Sequence, residues 1–191
     1  GRLAEETGLL DKYELPYRVL PGISSLNAAT TGTGLLLTRR GSSRCFSVTT
    51  PRKSGSGAIE WPTAAERHDQ PQVFFMATAG LPEICAHLRQ DGYPDDLPVS
   101  VVFNAGDEDE KIITGTLDSI AGLVGSATSP GLVIAGRIAD RRYLFRHHGA
   151  LRGMRVLFAG STTLQAKAAE IIRRYDGRSV IRPMISLNAA P

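Results

Sequence analysis

Three short apolar runs constrain this chain more than anything else in it: Gln72 to Met76 (Gln-Val-Phe-Phe-Met), Val99 to Phe103, and Leu132 to Ala135. A run without polar alternation suits a strand covered on both faces, because an open face would call for a polar residue at every second position. Ala77 to Gly80 forms a turn after the first run, and Leu81 to Gln90 then has the spacing of an amphipathic helix. Strands alternating with helices predict an α/β fold, a mixed and mostly parallel sheet flanked by helices. Ligands of such sheets bind at the ends of the strands. The turn after Met76 is therefore a first candidate for a site.

A second candidate lies in Val19 to Gly41, which reads as strand, tight turn, helix and extended segment. Pro21 fixes its own φ and Gly22 tolerates positive φ, so the pair ends a short strand over Tyr17–Leu20. Ser24 or Ser25 then caps the helix continued by Leu26, Asn27, Ala28 and Ala29. Small hydroxyls and free N–H groups at such a start can meet a polar ligand. The later Thr31-Gly-Thr-Gly follows a helix and precedes an extended run. That order is wrong for a dinucleotide fingerprint, and the glycines read as a helix stop.

Around these features, Leu3 to Glu14 has a helical pattern, Arg44 to Thr50 a strand pattern, Pro51 to Ile59 is a Gly/Ser/Lys loop, and Trp61 to His68 a short helix. The acidic run Asp107–Glu110 precedes a strand over Lys111–Thr116 and a short helix over Leu117–Val124. Such a run either binds a cation or is simply solvated. From Arg155 the periodicity restarts as a strand to Ala159, a turn at Gly160-Ser-Thr-Thr, a helix from Leu164 to Tyr175 and a strand from Ser179 to Pro183. This is one βαβ unit, too small to form a domain alone.

With 191 residues, 42% of them hydrophobic, the chain can bury a core. A net charge of +3, from 22 basic against 19 acidic residues, is a poor argument for nucleic acid and equally suits an anionic small substrate. No run is long enough to cross a bilayer. Cys45 and Cys85 stand far apart without metal-ligand spacing, so neither zinc nor a disulfide framework is expected, and a reducing, cytoplasmic home is. The opening Gly-Arg-Leu-Ala-Glu-Glu carries neither an initiator Met nor a signal core, which predicts a processed product or a fragment.

Taken together the segments resemble the tetrapyrrole methylases, in particular uroporphyrinogen-III C-methyltransferases and precorrin methyltransferases. The matching pieces are Gly1-Arg2 with Glu5-Glu6, Val-Leu-Pro-Gly-Ile-Ser-Ser at 19–25, Leu37-Thr-Arg-Arg-Gly, Phe74-Phe-Met-Ala, Pro98-Val-Ser-Val-Val, Thr114-Gly-Thr-Leu and Gly131-Leu-Val-Ile-Ala-Gly-Arg-Ile. They occur in the family's order across residues 1–140. The family has two α/β domains with S-adenosylmethionine in the cleft between them. Its Gly-x-Gly-Pro-Gly-Asp and Gly-Gly-Asp-Pro loops do not occur in this sequence. The resemblance thus implies the last helix of a missing N-terminal domain at 1–15, the family's C-terminal domain at 16–142, and a linker with a βαβ extension at 143–191. That extension is similar to the start of a uroporphyrinogen-III synthase, with a simple packing extension as the alternative.

By resemblance, Ser24, Ser25, Met76 and Ala105 bind the cofactor and Arg39 and Arg40 the substrate. A thioether lies well against an adenine face, an alanine lets the backbone come close, and arginines pair bidentately with the carboxylates of a tetrapyrrole. The sequence departs from the family at Phe75 and Ala77, where the family often has Tyr and Gly, and at Arg39, where uroporphyrinogen methylases often have His. The implied function is S-adenosylmethionine-dependent C-methylation of a tetrapyrrole, uroporphyrinogen-III or a precorrin, in sirohaem or cobalamin synthesis. The isolated fragment is expected to bind cofactor weakly and turn over nothing, its catalytic residues lying in the missing domain. A homodimer is also implied, with neither membrane nor nucleic acid as partner. The rival reading is a non-catalytic binding or regulatory module on the same fold. A weaker one is a phosphate-binding enzyme using the Gly160–Thr163 turn.

Overall fold

A computed structural model describes residues 3–51, 70–107, 109–126, 130–145 and 149–183. The Trp61–His68 helix and most of the loop before it lie outside these residues. Twelve helices and strands are described, beginning with α1 (Leu3–Lys12), α2 (Ser25–Ala29), β1 (Ser47–Thr49) and β2 (Gln72–Phe74). They continue with α3 (Leu81–Gln90), β3 (Pro98–Phe103), β4 (Lys111–Thr116), α4 (Ile120–Val124) and β5 (Gly131–Ala135). The C-terminal unit is β6 (Arg155–Gly160), α5 (Thr162–Arg174) and β7 (Arg178–Pro183).

The first five strands form one sheet in the order β1-β2-β5-β3-β4. It is mixed and flanked by helices, as expected, but the balance of directions is not. Only β1 and β2 pair parallel in it, whereas β2–β5, β3–β5 and β3–β4 are antiparallel. The expectation of a mostly parallel sheet is corrected here for a physical reason. Uninterrupted apolar runs report burial on both faces and carry no information on strand direction. β3 and β4 form a hairpin across residues 104–110, and β5 inserts between β2 and β3, opposed to both. The two strands beside β5 consequently run the same way, and their C-terminal ends share an edge with the start of β5.

Successive residues of the central strands feed two cores, as the period of two requires. Phe74, Val99, Val101 and Phe103 face one side, where α3 and α4 contribute Leu81, Ile84, Leu88 and Ile120. Val73, Val102 and Ile134 face the other, packed with Ala29 of α2, Leu35 and Ile138. α3 forms because its buried residues Leu81, Ile84, Cys85 and Leu88 recur at helical spacing; Pro82 stands in its first turn and His87 and Arg89 in its last. Arg89 then ties the helix to the next turns, donating to Asp95 at 2.6 Å and to the Leu117 carbonyl at 3.2 Å. The hydrogen bond to Asp95 raises its pKa further above the ordinary arginine value. Ser100, buried in β3, donates to the Ala139 carbonyl at 2.6 Å, which satisfies its hydroxyl inside the second core.

Two local expectations fail. Tyr17–Leu20 forms no strand; it is exposed and unpaired in the sheet, and a strand without a neighbour has nowhere to place its N–H and C=O groups except water. The strand expected over Arg44–Thr50 contracts to Ser47–Thr49. α1 buries none of its residues. The C-terminal βαβ unit is a separate parallel pair, β6 on β7, with α5 across it and Leu157 of β6 65% exposed.

Candidate functional site

The edge shared by the ends of β2 and β3 and the start of β5 is where two turns meet. The first follows β2: the Phe75 N–H donates to the Thr49 carbonyl at 2.8 Å, and Met76 then takes a positive φ of 50° and is 72% exposed. A bulky residue held in the left-handed region and projected into solvent is strained and pays no packing return, the pattern that marks functional positions. The second follows β3: Asn104 also has a positive φ, 49°, and its N–H donates to the Pro130 carbonyl at 3.1 Å. Ala105 comes next, partly buried against the second core.

Gly131 lies between the two turns. A Cβ there would stand 3.0 Å from both Phe103 and Thr78, so a larger residue would have to push these two side chains aside at the start of β5. Met76 and Ala105 each stand two residues along the chain from one of these neighbours, Thr78 and Phe103. α2 reaches the same place from the opposite direction, since a Cβ on Gly106 would lie 3.3 Å from the Ala28 Cβ. Ser24 caps that helix, its Oγ accepting from the Leu26 N–H at 3.2 Å. Ser25 opens the helix and is exposed, and Ile23 before them is 90% exposed. These residues make up a candidate rim of a thioether, an isoleucine, a small alanine and two hydroxyls, of which the Ala28–Gly106 approach joins α2 to the turn after β3.

Arg39 and Arg40 are elsewhere. They stand in the segment that leads into the start of β1, which lies beside the start of β2 and the end of β5. Arg39 is fixed by a tight turn, its N–H donating to the Ser43 carbonyl at 3.0 Å and its carbonyl accepting from Ser43 at 2.9 Å. Its guanidinium lies 4.2 Å from the Tyr143 ring centroid, that of Arg142 is 4.9 Å from the same ring, and the Arg39 Nε is buried with no acceptor among the described residues. Arg40 is exposed.

Two residues in this picture were not singled out in the sequence, Glu110 and Tyr143. Glu110 accepts from the Gly106 N–H at 3.0 Å, and its other oxygen lies 3.4 Å from Arg152 of the C-terminal unit. The acidic run concealed it, because four neighbouring acids look alike until one turns inward. A cleft of ≈ 750 Å³ separates the β3–β4 turn from the C-terminal unit, with Gly106, Asp107 and Glu110 on one wall and Arg152, Arg155 and Arg178 on the other. Among the described residues no cluster of three or more His, Cys, Asp or Glu could hold a metal, and no helix is long and apolar enough to cross a membrane. At the Gly160–Thr163 turn, Ser161 makes no side-chain cap bond and Gln165 donates to the Gly160 carbonyl at 3.3 Å.

The sheet, its strand-end turns and the glycines that shape them define an α/β domain whose candidate site lies where the ends of β2 and β3 meet the start of β5. The family Tetrapyrrole (Corrin/Porphyrin) Methylases matches residues 1–121, and the chain belongs to that family. Siroheme synthase of Methylobacillus flagellatus is 34% identical over 145 residues, 74% of this chain and 31% of that protein. Siroheme synthase of Nitrosospira multiformis is 32% identical over 143 residues, 73% of this chain and 30% of that protein. The chain thus spans about a third of the length of the curated relatives it matches. Among solved structures, uroporphyrin-III C-methyl transferase from Thermus thermophilus, complexed with S-adenyl homocysteine, superposes with a TM-score of 0.61 at 26% identity, covering 72% of this chain and 60% of that one. Cobalt precorrin-4 methyltransferase shares the fold, with a TM-score of 0.60 at 21% identity and coverage of 72% and 59%.

Proposed function

We propose that this chain supplies one wall of the cofactor cleft of an S-adenosylmethionine-dependent tetrapyrrole C-methyltransferase, acting in the cytoplasm on uroporphyrinogen-III or a precorrin. Residues 16–142 are its C-terminal domain, 1–15 the last helix of the domain before, and 143–191 an appended βαβ unit. The observation that carries the reading is Met76, strained and exposed on the turn that follows β2. Met76 and Ala105 fit the cofactor: an exposed thioether and a small residue on a turn leave an apolar shelf that a purine can cover, and Ser25 supplies a hydroxyl at its margin.

When bound, the cofactor supplies an electrophilic methyl group to an electron-rich pyrrole carbon. The chain's own work is alignment. Met76 and Ala105 hold the adenine side against the edge of the sheet, Ser24 and Ser25 bound its polar end, and Arg39 and Arg40 meet carboxylates on the periphery of the tetrapyrrole. Holding nucleophile and methyl donor in a fixed relation is the largest lever such a reaction has. The assembly is a homodimer whose opposite cleft wall comes from the preceding domain.

The test is an NMR titration of the 191-residue chain with S-adenosylhomocysteine. The Met76 methyl and the Ser24, Ser25 and Ala105 amides should shift together, and Met76→Asp should abolish the shifts. A titration that perturbs none of them at millimolar ligand overturns the reading.

A further inference from the structure

Glu110 touches both halves of the described chain. It closes the β3–β4 turn, its N–H donating to the Asp107 carbonyl at 3.1 Å, and only 16% of its side chain is exposed. One carboxylate oxygen accepts from the Gly106 N–H at 3.0 Å. Gly106 has a φ of +80° and follows Ala105 directly, so this bond fixes the turn that carries Ala105 to the rim. The other oxygen lies 3.4 Å from Arg152, which belongs to the segment just before β6. The carboxylate therefore bridges the cleft between the methylase sheet and the C-terminal unit, and its Gly106 partner stands one residue along the chain from Ala105.

We infer that Glu110 is a positioning residue that couples the C-terminal βαβ unit to the cofactor rim, through Arg152, Glu110, the Gly106 N–H and Ala105 in turn. The inference rests on the proposed cofactor role of Ala105. A carboxylate shared by a backbone N–H and a guanidinium is a charge-assisted acceptor to both, and movement of one partner redistributes its geometry at the other. The cleft is lined by Asp107, Asp109 and Glu110 of the turn and, in the C-terminal unit, by Arg152, Arg155, Arg173 and Arg178 with Asp176 among them, and this excess of basic groups opposite acidic ones favours the docked arrangement. Within the acidic run it is Glu110 that docks an arginine of the same chain, while Asp107 and Asp109 are exposed.

Amide NMR spectra of the whole chain, with and without S-adenosylhomocysteine, test this. Glu110→Ala removes both interactions. It should move the Ala105 and Gly106 amides and weaken S-adenosylhomocysteine binding about tenfold, the usual scale for a hydrogen bond to a charged group. Glu110→Gln keeps an acceptor for the Gly106 N–H and should restore the Gly106 resonance and most of the affinity. Arg152→Gln leaves Glu110 in place and should move the Ala105 and Gly106 amides in the native background but not in the Glu110→Gln background. If Glu110→Ala leaves both amides where they were, the positioning role is overturned. If Arg152→Gln leaves them unmoved, the coupling to the C-terminal unit is overturned. Absence of S-adenosylhomocysteine binding by the native chain refutes the cofactor reading instead, and the amide shifts still decide between coupling and none.

Discussion

Gly106 meets Ala28 so closely that a methyl group on Gly106 would stand 3.3 Å from the Ala28 Cβ. That contact sets α2 against the turn after β3, and with it the distance between the helix that Ser24 caps and Ala105. Gly106 also holds a φ of +80°, which any side chain resists.

Gly106→Ala is accordingly expected to cost about 1–2 kcal/mol of folding stability from the left-handed conformation alone. Urea denaturation reads this directly. The same substitution pushes α2 off the turn, so S-adenosylhomocysteine affinity should fall as well. A variant as stable as the native chain would mean that the turn relaxes freely and positions nothing.

Met76 predicts the opposite pairing of effects. At a φ of 50° and 72% exposed, it contributes strain and little packing. Met76→Gly relieves about 1–2 kcal/mol of left-handed strain and loses about 0.5–1 kcal/mol to backbone entropy. The net effect on stability should be near zero or favourable, while S-adenosylhomocysteine binding weakens. Differential scanning calorimetry beside ligand titration separates the two. A marked fall in melting temperature would assign Met76 to the core and remove it from the rim.

Much of the framework was legible from apolar spacing. α3, β4 and the order of the C-terminal βαβ unit follow from where Leu81, Ile84, Cys85 and Leu88, or Val156, Phe158 and Ile172, fall in the chain. Strand direction was not legible, because Val99, Val101, Val102 and Phe103 are buried on two faces by helices and segments far away in sequence. The strand expected at Tyr17–Leu20 had suitable residues and no neighbour to pair with, which no local pattern reveals. Residue type made Met76 visible as a thioether at a strand end, yet its positive φ is a property of the folded turn that no residue type announces. Glu110 was hidden among equals, and only the hairpin decides which acid faces Gly106 and Arg152.

Cys85 sets a pH dependence. Burial within α3 pushes its thiol pKa up, with Arg89 opposing in part. A thiol whose pKa is higher folded than unfolded stabilises the fold fully at pH below its unfolded value, and that stability is lost as pH rises towards the folded value. Stability by urea denaturation should therefore hold at neutral pH and decline towards roughly pH 10, where an ordinary thiol is ionised. Cys85→Ala should flatten that decline at the cost of a small cavity. In the native chain a thiol reagent at mildly alkaline pH should modify partly exposed Cys45 well before buried Cys85. Equal rates would contradict the burial of Cys85.

Arg39 carries two opposed energies. Its stack on Tyr143 is worth about 0.5–1 kcal/mol, whereas a buried N–H without an acceptor costs about 1–3 kcal/mol. Arg39→Met keeps the stem and the contact with the ring while removing the orphan donor. It should leave stability unchanged or raise it by about 1 kcal/mol, and Tyr143→Ala should lower it by exposing the second core. An arginine that the fold would be as stable without is one whose charge serves something outside the fold. The proposed substrate supplies a carboxylate for it. Titration with uroporphyrin, an octacarboxylate, should be weakened by Arg39→Met and by Arg40→Gln, with less effect from inorganic phosphate as competitor. If Arg39→Met destabilises the chain and leaves porphyrin binding untouched, the Arg39–Tyr143 stack is structural and the carboxylates bind elsewhere.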